Sequence, residues 1–308
     1  MQKGRLALKR EYRAERFANT FGPHAPVLTL DDGDVLATET LDSRGRNGRM
    51  ETVAGPPNPL TGPFYVRGAE PGDTLAVDIV RLRPNRAYGY CGTAVAANVV
   101  DPMYVPNLPQ RELAIWEVDA AKGVATLTEP DTALGRLTLP LDPMLGCIGV
   151  APIGQQAISS ATSAEHGGNM DYRGYREGMT ALFPVFEPGA LLFVGDGHAV
   201  QGDGEIVGMG IEISMDVELR VRVLKGQTIR WPRGYTDEEL FAVGNARPLD
   251  QALQHATTEL MNWLQDEHGL DAVGASILLG QCINYDVGNV FDPAYTVVAR
   301  IWRSLLPT

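Results

Sequence analysis

The segment GDGHAVQGDGE, residues 195–205, sets Asp196, His198, Asp203 and Glu205 among glycines at 195, 197, 202 and 204. Glycine reaches positive φ freely and lets a bound group approach the main chain closely. A divalent cation relieves the repulsion among such carboxylates, and zinc and other first-row metals accept a mixed nitrogen and oxygen donor set. Calcium stays open as a structural ion. The EF-hand order is broken at Asp196, His198 and Val200, and no Lys-Ser or Lys-Thr closes a phosphate loop. The alternative is a plain turn with solvated acids, since Asp and Gly are the commonest turn residues.

A second stretch, SSATSAEHGGNMD at 159–171, sets His166 against paired glycines and follows it with Asn169 and Asp171; the chain has 5 histidines in all. Alone, HGGN reads as a tight turn whose His166 caps a backbone group. Together with the first loop it suggests a site, because ligands converge from separate loops. Glu39 and Asp42, in LATETLDSRG, are a third contributor or a solvated strand end. Cys147 in MLGCIGVAP offers a nucleophile. Its neighbours Leu145, Ile148 and Val150 point instead to a buried thiol, and no base is adjacent.

These loops need a frame. With 34 Gly and 21 Pro punctuating short apolar runs, the chain reads as mainly β with many turns, an antiparallel sandwich or barrel-like set of sheets. An α+β C-terminal portion carries a few late helices. The run IEISMDVELRVRV, 211–223, alternates apolar and polar residues throughout, predicting one half-buried antiparallel strand. Shorter strands are predicted at 27–30, 34–40, 73–80, 125–129, 136–141, 190–194 and 295–302. From Pro248, Leu253, Ala256, Leu260, Trp263 and Leu264 follow helical spacing up to Gly269, and a second helix follows within 271–282. The Gly- and Pro-rich passage PMLGCIGVAP allows a boundary near 145, dividing the chain into β-rich halves 1–145 and 146–308, the latter with helices near 248–282; the alternative is one intimately joined unit.

The formal charge of -12 disfavours nucleic acid and suits a small neutral or cationic substrate. Cys91, Cys147 and Cys282 show no C-x-x-C spacing, so reduced thiols in the cytoplasm are expected. No run approaches the roughly 18 apolar residues of a membrane helix, and the basic and acidic N-terminal stretch has no signal-peptide core.

The segments NPLTGPFYVRGAEPGDTLAVDI, PMLGCIGVAP, SATSAEHGGNMD and GDGHAVQGDGE, in that order, resemble the hallmark segments of the acetamidase/formamidase family. The resemblance runs from TLDDGDVLATETLDSRG to FDPAYTVVARIW. It implies a mainly β fold with a helical C-terminal portion, metal-dependent hydrolysis of short amides, and a homodimer or larger homo-oligomer. The insert GRNGRMETVAGPP after Asp42, the segment NRAYGYCGTAVAANVVDPMYVPN and INYDVGNVFDP depart from the simplest members, and such loops shape pockets.

The expected mechanism follows. His166, Asp196, His198 and Asp42 hold one divalent ion, zinc first, whose water approaches a pKa near 7. Glu205 or Asp171 takes the water proton and delivers it to ammonia, and Asn169 or a glycine N–H steadies the oxyanion. Two rivals are a metal-free amidase using Cys147 and a non-catalytic β-sandwich module that binds a small ligand.

Overall fold

The computed structural model describes residues 7–307. Two large sheets face each other across an apolar core. The first runs edge to edge through strands 9–11, 35–40, 215–224, 74–84, 180–184, 233–235, 239–246, 295–302 and 284–289. The second runs through 138–140, 124–129, 113–119, 88–92, 212–213, 192–198, 144–149, 167–169 and 163–164, with 61–66 also on 192–198 and 28–30 beside 61–66. Neither closes into a barrel. Leu75, Val77 and Leu219 of the first sheet meet Trp116, Leu145, Ile148 and Val194 of the second in that core.

Helix α1, Leu249–His268, lies on the outer side of the first sheet. There Leu260, Trp263 and Leu264 pack on Leu240, Ala242 and Ile301. Gly269 stops it with φ 67°, and its N–H caps the Leu264 carbonyl. Leu253 is 38% exposed, and Ala252 is the buried residue beside it. Helix α2, Ala272–Cys282, starts at Asp271, whose side chain accepts from the Gly274 N–H at 2.6 Å.

One sequence expectation is corrected. The alternating run 211–223 is two strands. Glu212–Ile213 belongs to the second sheet and Met215–Leu224 to the first. The chain passes between sheets at Ser214, so Glu212 faces inward although its place in the alternation predicted solvent. A boundary between 145 and 146 would cut the strand Met144–Gly149. The halves are interleaved: Met215–Leu224 lies between Val35–Thr40 and Thr74–Pro84 in a single sheet.

A candidate active site around His198

The strand Met144–Gly149 is the floor of the site. On one side it pairs with Leu192–His198 (Met144 opposite His198, Cys147 opposite Gly195), and on the other with Gly167–Asn169 (Cys147 opposite Asn169). Leu192–His198 in turn pairs with Glu212–Ile213, setting His198 directly across from Glu212. Directly opposed side chains on one sheet face lie close together, and residues two apart share a face. Asp196, His198 and Glu212 therefore converge.

His198 Nε2 lies 3.0 Å from Glu212 Oε1 and 3.5 Å from Asp196 Oδ1. Its Nδ1 lies 2.8 Å from Gln201 Oε1. The Gln201 amide is oriented by its own donors, since Nε2 donates to the carbonyls of Asp171 (2.5 Å) and Gly288 (3.3 Å). That leaves Oε1 to accept a proton from Nδ1, so in a neutral imidazole Nε2 carries the lone pair. Three lone-pair-bearing atoms then point at one another in a buried space. His198 Nε2, Asp196 Oδ1 and Asp171 Oδ1 are all buried without a hydrogen-bond partner. Only a proton or a cation reconciles such a set.

Asp171, His198 and Glu205 form a second group whose ligand atoms approach within 4.8 Å, sharing His198 with the group Asp196, His198 and Glu212. Asp292 adjoins them, accepting from Asn169 Nδ2 and from Asn289 Nδ2. Burial pushes the Asp196 carboxyl up to about 7, with Glu212 adding to the rise. Burial and neighbouring carboxylates likewise push Asp171 and Glu205 well above the usual range. Burial alone would depress His198, but Glu212 and Asp196 outweigh it and hold it well above an ordinary histidine. His198 in turn lowers Glu212 against its own burial.

The backbone here is shaped for this cluster. Asp171 (φ 44°), Asp196 (φ 55°) and Glu205 (φ 44°) all occupy the left-handed region, where a non-glycine residue persists only if its surroundings enforce it. Gly146 is the necessary gap in the floor. A Cβ there would fall on Asp171 Oδ1 and lie 2.8 Å from Asp196 Oδ2. Above the cluster opens a cavity of about 270 Å³ lined by Arg44, Asn58, Asn169, Asp196, Glu205, Glu212 and Asp292 among others. Larger clefts of about 620 and 770 Å³ flank the segment Arg13–Phe17 and hold no histidine–carboxylate cluster.

The expected site residues separate clearly. Asp171, Asp196, His198 and Glu205 come together, with Asn169 beside them. His166 does not join them. Its carbonyl accepts from the Val150 N–H, whereas His198 is registered on Met144, so the two histidines sit roughly 20 Å apart along one extended strand at about 3.3 Å per residue. His166 leans on Phe21 at 5.1 Å, both ring nitrogens lack partners, and burial alone lowers it to about 3. It cannot share a ligand set with His198.

Asp42 is also outside. Its Oδ2 accepts from Arg86 Nη2 at 2.7 Å, and its Oδ1 accepts from the N–H groups of Arg44 (3.0 Å) and Arg46 (2.9 Å). Its lone pairs are spent on fixing the loop that follows. Glu39 is exposed on its strand, and Asp203 pairs with Arg173 at 2.6 Å. Cys147 lies within the site, its Sγ donating to Asn169 Oδ1 at 2.7 Å and standing 3.9 Å from Asp196 Oδ2. Burial and the Asp196 and Asp171 carboxylates push its thiol well up, the reverse of an activated nucleophile.

Sequence reasoning missed Glu212, Gln201 and Asp292. Gln201 stood inside the first loop but carries no charge. Asp292 lies in INYDVGNVFDP, noted only as a departure from the simplest pattern.

The profile of the acetamidase/formamidase family matches residues 9–158 and 151–256. The chain belongs to this family. It is 30% identical over 241 residues to the acetamidase of Mycolicibacterium smegmatis, spanning 62% of this chain and 59% of that one. It is 24% identical over 273 residues to the formamidase of Methylophilus methylotrophus, spanning 67% and 64%. The match thus covers less than two thirds of these relatives' length. Among solved structures, the acetamidase of Yersinia enterocolitica superposes with a TM-score of 0.85 at 30% identity, covering 99% of this chain and 95% of that one.

Proposed function

We propose that this acetamidase/formamidase family member hydrolyses the C–N bond of a short linear amide to a carboxylate and ammonia in the cavity over His198. The reading rests on one observation above all: buried ligand atoms from Asp196, His198 and Glu212 meet beneath a small cavity. The fit to a divalent cation is good, because the unpartnered Nε2 and Oδ1 atoms are free to bind one and Gly146 leaves the room. The imidazole favours zinc over calcium, which takes oxygen ligands. When bound there, such an ion supplies Lewis acidity toward water and the amide carbonyl.

The chain's own residues do the rest. Glu205 lines the cavity with its carboxyl raised by burial, and a carboxylate so poised takes a proton from water and returns it to the leaving nitrogen. Asp171 behind it shares that proton load. Asn169 Nδ2 has one hydrogen on Asp292 and a second for the carbonyl oxygen. Cys147 holds Asn169 in place through Oδ1. Three free thiols and no disulfide among the described residues support a reducing, cytoplasmic setting. No helix among them is long and apolar enough to cross a membrane. A homo-oligomer is carried by the family resemblance.

Ammonia release from formamide, acetamide and propionamide, before and after chelation and with zinc restored, tests this. Loss on chelation and recovery with metal are expected. Turnover indifferent to chelator removes the cation from the reading, and silence on every amide removes the hydrolase.

A further inference from the structure

The loop after Asp42 forms one wall of the cavity through Ser43, Arg44, Pro56 and Pro57. It is anchored hard: Asp42 ties its first turn to buried Arg86, and the Ser43 N–H donates to Glu212 Oε2 at 3.2 Å. Arg44 is thus held next to a carboxylate of the site. Its guanidinium is nonetheless committed to none. Among the described residues it forms no ion pair and no side-chain hydrogen bond, and its Cζ rests 5.3 Å from the centre of the Tyr90 ring. No other lysine or arginine lines this cavity. In a chain with 38 acidic residues against 26 basic ones, an uncommitted arginine beside an acidic cluster is a group awaiting a partner.

A guanidinium presents parallel N–H donors that match a carboxylate two-to-two, and stacking on an aromatic face fixes it without using those donors. Resting on the amide-hydrolase reading above, we infer that Arg44 selects short amides whose far end carries a carboxylate, the malonamate type. The amide lies toward His198 and the anion on Arg44. Whole-chain charge favours neutral or cationic substrates, but that is a long-range, salt-screened preference, whereas Arg44 acts in contact. The cavity of about 270 Å³ keeps the two ends of the substrate only a few atoms apart.

The test compares wild type, Arg44→Met and Arg44→Lys on malonamate, malonamide and propionamide by ammonia release. In wild type, kcat/KM for malonamate should exceed that for propionamide, and its KM should rise with added salt. In Arg44→Met that preference should fall by about tenfold to a hundredfold, as loss of a charge-assisted pair implies, mostly through KM. Arg44→Lys should recover part of it. A proportional loss on all three substrates, or an unchanged preference, overturns the inference. Calorimetric binding of malonate separates it from the underlying reading. Malonate binding weakened in Arg44→Met without turnover of any amide upholds Arg44 and removes the hydrolase. Equal malonate binding by both proteins removes Arg44 and leaves amide hydrolysis standing.

Discussion

His198 and His166 occupy opposite ends of the same short stretch of sheet, and little in their sequence surroundings tells them apart. Each follows or precedes glycine, each sits in a loop bearing acids, and each is buried to 1% exposure or less. Burial works on both in the same direction, against the charged imidazole. At His198 it is overruled by Glu212 and Asp196; at His166 nothing opposes it, and the ring is held neutral down to about 3. The difference teaches that strand register, six residues along Met144–Val150, decides which histidine joins the carboxylates. Local composition does not.

Several substitutions would break or sharpen that contrast. His198→Ala should remove bound cation and lower kcat/KM by more than about a hundredfold, exceeding what loss of a supporting residue costs. Elemental analysis beside ammonia release reads both. Gly146→Ala should approach that loss while adding no charge, because its Cβ occupies the space of Asp171 Oδ1. Normal cation content in this variant would mean the carboxylates reach the ion another way.

Gln201→Leu should cost about ten- to a hundredfold in cation affinity, since it removes the partner that sets the His198 tautomer. A competitive chelator titration measures it. His166→Leu should change kcat/KM less than about threefold, the smallest effect on activity.

Its signature is in stability. Between its unfolded pKa near 6.5 and about 3 in the fold, His166 is protonated only in the unfolded chain. The His166 contribution to stability therefore falls as pH drops below about 6.5, by roughly 1.4 kcal/mol per unit. The advantage of His166→Leu over wild type should accordingly grow by about 2 kcal/mol between pH 7 and pH 5. Urea unfolding at both values checks it, and a constant difference would mean His166 has a partner that charges it.

Much of the frame was legible in the residues themselves. The helix from Leu249 to His268 followed its apolar spacing and its glycine stop, and seven of the short strands fell where turn residues bounded apolar runs. The loop 195–205 announced Asp196, His198 and Glu205 by residue type. Glu212 was hidden because period-two alternation assigns every polar position to water, and nothing local shows that the chain changes sheets at Ser214. His166 was grouped with Asp196 and His198 for the complementary reason. A Gly-flanked histidine looks the same whether its strand places it beside carboxylates or beside Phe21. Asp42 bore the right charge, but its lone pairs were claimed by Arg86 and two backbone N–H groups that lie up to 44 positions away.

The central claim is that the carboxylates around His198 share one divalent cation. Thermal unfolding of chelator-treated protein at neutral pH, with and without added zinc, tests it most directly. Zinc should raise the Tm of wild type by several degrees, as binding to the folded state alone requires, and leave His198→Ala unmoved. An equal rise in His198→Ala, or no rise in wild type, would contradict it.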